Sequence, residues 1–309
     1  MIDKFRKNPH DIIMSKNTRQ VFFTILLAFA ALIWGSAFVA QSIGAQLVGP
    51  FTFLALRSWI AVVMMVMMLL YKRYILKKPS VLPHLRFDLR GGFFCALFLF
   101  LASLLQQIGI AYTSTAKAGF ITAMYVVLVP VMTLFMGKKI SKRIWFSVLL
   151  GVIGLYLLSM TGGFSLQLGD ALVLICAFLF SFQILAVGRY ALRTDPIVLS
   201  LLQLFFTALF STVFMFIFEG IDIPAIKAAS GSILYAGVLS SGVAYTIQTV
   251  TQRELDPTIA SLTMSLESVF AALTGWIVLH QTLTTRELTG CVIMFTAIIL
   301  SQLPEKRSS

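Results

Sequence analysis

The sequence predicts an all-α membrane protein: ten transmembrane helices folded as two inverted five-helix repeats. Three observations carry this expectation. Of its 309 residues 59% are hydrophobic and 12% charged, against roughly 45–50% and 25% in soluble domains. Ten long apolar stretches follow one another with short connections. The Lys and Arg residues fall almost entirely between alternate stretches.

A helix needs about 20 apolar residues to cross a bilayer, so a chain of this length holds about ten spans and no large soluble domain. They are expected at 21–43, 50–71, 91–111, 117–136, 144–160, 169–188, 196–218, 231–250, 257–280 and 288–303. The first follows a basic leader (Lys4, Arg6, Lys7, Lys16, Arg19) that resembles a signal peptide. Its apolar run is too long for a signal-peptide core and nine more spans follow, so it reads as an uncleaved helix. The second span opens on Pro50 and holds Arg57; the fourth holds Pro130, where a lost backbone hydrogen bond should kink it. Gly35, Gly119, Gly151, Gly154, Gly275 and Gly290 suit close approach between helices. Cys95, Cys176 and Cys291 lie inside spans at spacings unlike a metal or disulfide framework and read as small core residues.

With a cytoplasmic N terminus, twenty Lys and Arg fall in cytoplasmic segments and three (Lys117, Lys227, Arg286) outside, with Arg57 left within a span. The positive-inside rule then places both termini in the cytoplasm and the chain in the cell (inner) membrane. The net charge of +12 is thereby a topology signal, with no nucleic-acid partner implied.

Self-comparison supplies the repeat. A shift of 142 lays Ala116–Tyr125 on Thr258–Glu267 and Gln106 on Gln248; a shift of 146 lays Ala31–Trp34 on Ala177–Phe180, Pro50 on Pro196 and Arg57 on Gln203. Both are near half the chain, so the unit is five helices, and an odd unit makes the second copy enter the membrane in the opposite sense. The expected organisation is a tail at 1–20, repeats at 21–160 and 161–303, and a tail at 304–309. Such a duplication lets a monomer suffice, with a dimer still open.

Trp34-Gly35-Ser36, Pro50 with Arg57, Ala118 to Pro130 and Ser265-Leu266-Glu267-Ser268-Val269-Phe270-Ala271-Ala272-Leu273 resemble the EamA-type members of the drug/metabolite transporter superfamily, over nearly the whole chain. The resemblance implies a ten-helix bundle with a substrate cavity between its halves, exporting or importing small polar metabolites or drugs, with export the expected direction. Members often carry Pro where this chain has Ser268, so a kink there is not assured. A zwitterion such as an amino acid would satisfy Arg57 and Glu267 together, and a lipophilic cation that needs only Glu267 is the alternative.

Polar groups inside a bilayer are costly unless they face a cavity or a partner. Glu267 is the one deep acid, about 15 Å into the ninth span at 1.5 Å per residue. On a helical wheel Ile259, Leu262, Leu266, Val269, Phe270, Leu273, Trp276 and Ile277 share an apolar arc expected to face lipid, leaving Glu267 on the inward flank. It reads as a partner for a cationic substrate group or as a protonatable coupling group, with a structural Glu as the alternative. For Arg57 snorkelling to the outer interface is the preferred reading; binding an anionic group, or pairing with Glu267, are the alternatives. Lys117 is expected at the outer interface. Ser241, Tyr245, Gln248 and Gln252 recur at helical spacing in the eighth span; Ser103, Gln106 and Gln107 answer them in the third, and Thr122 and Tyr125 in the fourth, with Tyr125 in register with Glu267. Such amides and hydroxyls either orient a ligand or bond between helices. Trp34, Ser36, Ser181 and Gln183 are weaker candidates, with packing the preferred role for Trp34.

An intramembrane enzyme would need a catalytic constellation. No HExxH motif, no paired deep carboxylates and no Walker-type loop are present, and His10, His84 and His280 lack an acid nearby. No cofactor is expected. The expected partners are a small-molecule substrate, the lipid bilayer and protons as a coupling ion. A channel-like permease, and less so a scaffold or receptor, remain alternatives.

Overall fold

A computed structural model describes residues 16–77, 85–113, 115–159, 167–279 and 284–303, and among these residues every regular element is helical. His10, His84, His280 and most of the two tails lie outside the described residues, as does the side chain of Lys117. The long elements are α1 (Lys16–Leu47), α2 (Pro50–Tyr74) and α3 (Leu85–Ile110). The next two are short, α4 (Thr115–Thr122) and α5 (Tyr125–Phe135), and are followed by α6 (Lys142–Ser159), α7 (Leu168–Tyr190) and α8 (Pro196–Phe218). After α9 (Ile223–Ala228), α10 (Ser230–Tyr235) runs through a π-helical stretch, Ala236–Ala244, into α11 (Tyr245–Thr251). The chain closes with α12 (Pro257–Met264), α13 (Leu266–Leu279) and α14 (Thr285–Gln302).

Among the described residues seven segments are long and apolar enough to cross a membrane: Thr18–Leu47, Pro50–Tyr74, Leu85–Ile110, Ala118–Phe135, Leu168–Tyr190, Pro196–Phe218 and Ser230–Thr251. Their outer faces are apolar and exposed, as Ile25, Phe29, Val63, Met67, Ile217 and Phe218 show, which suits a surrounding of lipid rather than water. The chain is therefore a multi-pass membrane protein. Three further predicted spans correspond to α6, to the pair α12 and α13, and to α14; α6 packs along α14.

Sequence explains where these helices start. Pro at the first helical position opens α2, α8 and α12, a place where the missing N–H costs nothing. Asp195 caps α8 by accepting from the Ile197 N–H at 3.0 Å, and Asp256 caps α12 by accepting from the Thr258 N–H at 2.9 Å. Gly49 stands at the same position before α2 and has no side chain to offer. Glu219, at the C-terminal end of α8, fills that role instead. Its carboxylate accepts from the N–H groups of Phe51 (2.9 Å) and Thr52 (2.7 Å) and from the Thr52 hydroxyl (2.6 Å). At the other end of the pair Lys72, late in α2, meets Asp195 at 2.6 Å. The start of each helix is thus fastened to the end of the other, so α2 and α8 run antiparallel and are clamped at both ends. Glu219→Ala is expected to lower stability by about 0.5–2 kcal/mol, the usual worth of a helix cap, as a reduced Tm; an unchanged Tm would show that the clamp contributes nothing.

Pro130, where the sequence predicts a kink, lies inside α5. The fourth span is interrupted six residues earlier, at Ala123 and Met124, and the ninth at Ser265. These are equivalent positions under the shift of 142. The apolar arc of the ninth span does not face lipid along most of its length. Leu262, Leu266 and Val269 are fully buried against Leu155, Met294 and Ala297 of α6 and α14, which cover this face, and only Trp276 and Ile277 at its far end are exposed. A wheel drawn for one helix cannot see two neighbours laid over its apolar side.

Close approach between helices is realised at Gly35 and Gly154, while Gly119 has room around it. A Cβ on Gly35 would come within 2.7 Å of the Ala271 backbone nitrogen and of the Phe270 Cβ, so α1 and α13 touch backbone to backbone there. Gly35→Ala must push these helices apart. Overpacking of this kind costs about 1–3 kcal/mol, and a Tm equal to that of the parent protein would refute the close contact.

Candidate functional site

The break between α12 and α13 places Glu267 at the first turn of α13, and the matching break between α4 and α5 places Tyr125 at the start of α5. The two side chains meet: the Tyr125 hydroxyl donates to Glu267 Oε1 at 2.9 Å. They are separated by 142 residues, the shift found by self-comparison, so residues that correspond between the two halves touch one another. Ser268, next to Glu267, donates to the Gly119 carbonyl at 2.9 Å and fastens α13 to α4. Two further carboxylates, Asp88 and Asp170, are also buried, but each sits in the first turn of its helix and accepts from a threonine hydroxyl, Asp88 from Thr194 and Asp170 from Thr113. Glu267 remains the acid placed in the middle of the bundle.

Around this pair lies a small cavity of about 40 Å³. Of its fifteen lining residues ten form five pairs related by the internal repeat: Trp34 with Phe180, Phe38 with Ile184, Gln106 with Gln248, Thr122 with Met264, and Tyr125 with Glu267. The others are Gln41, Arg57, Gln183, Ser240 and Tyr245. The shape is therefore built nearly twice over, and the charges are not: Glu267 answers a tyrosine and Arg57 answers Gln203.

Arg57 does not snorkel. Its side chain is buried, with 4% exposure, and turns inward from the eighth position of α2. Nε donates to Ser241 Oγ at 2.8 Å, Nη2 to Ser240 Oγ at 3.2 Å, and Nη1 to Gln41 Oε1 at 3.5 Å. Every one of these acceptors is neutral. Among the described residues the ion pairs are Arg19 with Glu254 and Lys72 with Asp195, both at helix ends. Arg57 and Glu267 thus line one cavity without pairing with each other. A guanidinium has five N–H donors, so three bonds leave two for a ligand.

The remaining predicted residues divide into wall and support. Trp34, Gln106, Thr122, Tyr125, Tyr245 and Gln248 reach the cavity. Gln106 donates to Thr122 at 3.1 Å, and the Trp34 ring packs on Tyr245 while its N–H donates to the Ser240 carbonyl at 3.3 Å. Gln107 and Ser241 do not line it: Gln107 donates to the Gln41 carbonyl, and Ser241 holds Arg57. Below, Gln248 and Gln183 exchange hydrogen bonds at 3.1 and 3.4 Å, and Gln183 reaches Gln203 at 3.2 Å. Gln252 donates instead to the Ile184 carbonyl.

Sequence reasoning missed Phe38, Gln41, Phe180, Ile184, Ser240 and Met264. For two of these a signal existed, because Trp34, Phe38 and Gln41 stand at i, i+4 and i+7 on one helix face. Ser240 had none. It sits beside Ser241 in the π-helical stretch, and both hydroxyls accept from the one guanidinium.

Comparison with known proteins agrees with a duplicated transporter chain. The EamA-like transporter family matches the chain twice, at residues 22–160 and 167–303. An "Uncharacterized transporter" of Archaeoglobus fulgidus is 30% identical, over 94% of this chain and 88% of its own length. The "Uncharacterized transporter YoaV" of Bacillus subtilis is 23% identical, over 87% of this chain and 93% of its own. A crystal structure with 18% identity superposes with a TM-score of 0.73 over 91% of this chain and 98% of its own, a likeness of fold.

Proposed function

The chain belongs to the EamA-like transporter family, and from that premise we propose that it is a secondary carrier for a small zwitterion such as an amino acid, working by alternating access. The observation that carries this reading is the buried guanidinium and the buried carboxyl group on one cavity, Arg57 with donors to spare and Glu267 held by Tyr125. A carboxylate and an ammonium on one small substrate would satisfy both. Glu267 is also the group placed to carry a coupling proton.

Two inverted five-helix repeats making ten spans are the architecture this mechanism needs. Three findings support it: the antiparallel clamp of α2 on α8, the contact between equivalent residues Tyr125 and Glu267, and the helix breaks at equivalent positions. Discontinuous helices at matching places in two halves are where such carriers bind substrate. We place both termini in the cytoplasm and the chain in the cell membrane on the charge asymmetry of its loops, take a monomer as sufficient, and take export as the net direction from the family resemblance.

A thermal-unfolding screen of the purified protein against amino acids, sugars, nucleosides and lipophilic cations tests the substrate class. A ligand at 100 times its Kd stabilises by about 2.7 kcal/mol. Zwitterions are expected to raise the Tm; a shift confined to sugars or lipophilic cations would overturn the reading. Counterflow in proteoliposomes then separates a carrier, whose flux saturates and exchanges, from a channel.

A further inference from the structure

A second polar cavity opens at the cytoplasmic ends of the helices, away from the transport site. It lies where the loop from α5 to α6 meets the start of α12 and the end of α14, and it holds about 440 Å³. Lys138, Lys139 and Arg143 line it from the first half, Thr258 and Gln302 from the second. Basic residues on a cytoplasmic loop are ordinary, and solvated ones would imply nothing more.

Two observations set this cluster apart. Thr258, in the wall of the cavity, is 1% exposed, and its buried hydroxyl has no hydrogen-bond partner. The Nε of Arg143 is likewise buried and unpartnered on the same cavity. A buried polar group without a partner is destabilising and rare, and here two such donors belong to residues of one cavity wall, one from each half of the molecule. The acid in the wall is Asp256, one charge against three, and one of its oxygens is already taken by the Thr258 N–H. A tetrahedral anion has the several acceptor oxygens this donor set lacks, and a guanidinium with two ammonium groups is the set that recognises phosphate.

We propose that this cavity is a binding site for a phosphate group, which bridges Arg143 and the two lysines of the first half to the Thr258 hydroxyl of the second. The phosphate chemistry is shared by free inorganic phosphate and by an anionic lipid headgroup at the cytoplasmic surface. Because the site joins the two halves, its occupant holds the cytoplasmic side together whatever the cargo of the central cavity. The site is independent of the substrate reading, and its test needs no transported molecule.

The test is thermal unfolding of the full-length protein in neutral detergent. Inorganic phosphate is titrated against sodium chloride of equal ionic strength, and in parallel phosphatidylglycerol is added against phosphatidylcholine. The same titrations are run on Arg143→Gln, Lys139→Gln and Thr258→Val. Stabilisation by phosphate and phosphatidylglycerol together identifies a free-phosphate site; stabilisation by phosphatidylglycerol alone identifies a headgroup site. In either case each variant is expected to raise the half-saturating concentration at least tenfold. Thr258→Val carries a signature of its own, since it removes an orphaned hydroxyl: its unliganded Tm should equal or exceed that of the parent protein while the ligand shift is lost. If Arg143→Gln does not fold, Thr258→Val decides the matter. No shift beyond the chloride and phosphatidylcholine controls, or a shift retained in Thr258→Val, overturns the proposal.

Discussion

Glu267→Gln is expected to yield a folded protein that no longer binds or moves a zwitterionic substrate. Glutamine keeps the length of the side chain and a carbonyl oxygen for the Tyr125 hydroxyl, which donates to Glu267 at 2.9 Å, so the break between α12 and α13 should survive. What is lost is the negative charge opposite the substrate ammonium. Removing one partner of a buried charge pair costs about 2–5 kcal/mol, which corresponds to an affinity weakened from about 30-fold to several thousand-fold. Calorimetric titration and proteoliposome uptake both read this. Tyr125→Phe, which removes only the donor holding the carboxylate in place, should cost less, about 10- to 150-fold, in line with about 1.5–3 kcal/mol for a hydrogen bond to a charged group. Unchanged affinity in Glu267→Gln would return this residue to a structural role, and the zwitterion reading would fall with it. If Glu267 also carries the coupling proton, a proton gradient accelerates uptake by the parent protein and leaves residual uptake by the glutamine variant unaltered.

Much of this site was legible before the fold because membranes make polarity expensive. Glu267, Tyr125, Gln106, Gln248 and Tyr245 stood out as polar groups in apolar runs, and the shift of 142 already aligned Tyr125 with Glu267. Two kinds of information were missing. The first is rotation and cover. Distance along a helix puts Arg57 near the outer surface, where snorkelling is the cheap solution, yet the side chain turns into the bundle because Ser240, Ser241 and Gln41 supply acceptors there. In the same way Leu262 and Leu266 match a lipid-facing arc but are covered by α6 and α14. The second is departure from α-helical geometry. The π-helical stretch Ala236–Ala244 and the breaks at Ala123–Met124 and Ser265 change which residues share a face, and no wheel with a fixed period contains them.

Arg57 gives the sharper experiment, because stability and function are expected to move apart. Burying a guanidinium among neutral acceptors costs several kcal/mol of desolvation that no carboxylate offsets in the empty site. Arg57→Met removes that cost together with three hydrogen bonds, and the serine hydroxyls it frees can turn to carbonyls of their own helix. The unliganded variant is therefore expected to unfold at a temperature equal to or above that of the parent protein, as happens when a strained functional group is replaced by an apolar one. Substrate binding should meanwhile fall by the same about 2–5 kcal/mol as for Glu267→Gln. The chemistry of the loss should differ. An amine analogue lacking the carboxylate has nothing to give Arg57, so its affinity should be the same in Arg57→Met and the parent protein, and should still drop in Glu267→Gln. Arg57→Lys keeps the charge but loses the planar fork, and is expected to recover only part of the affinity. Equal losses of amine and zwitterion in Arg57→Met, or a Tm several degrees below that of the parent protein, would instead make Arg57 a strut between α2 and the π-helical stretch.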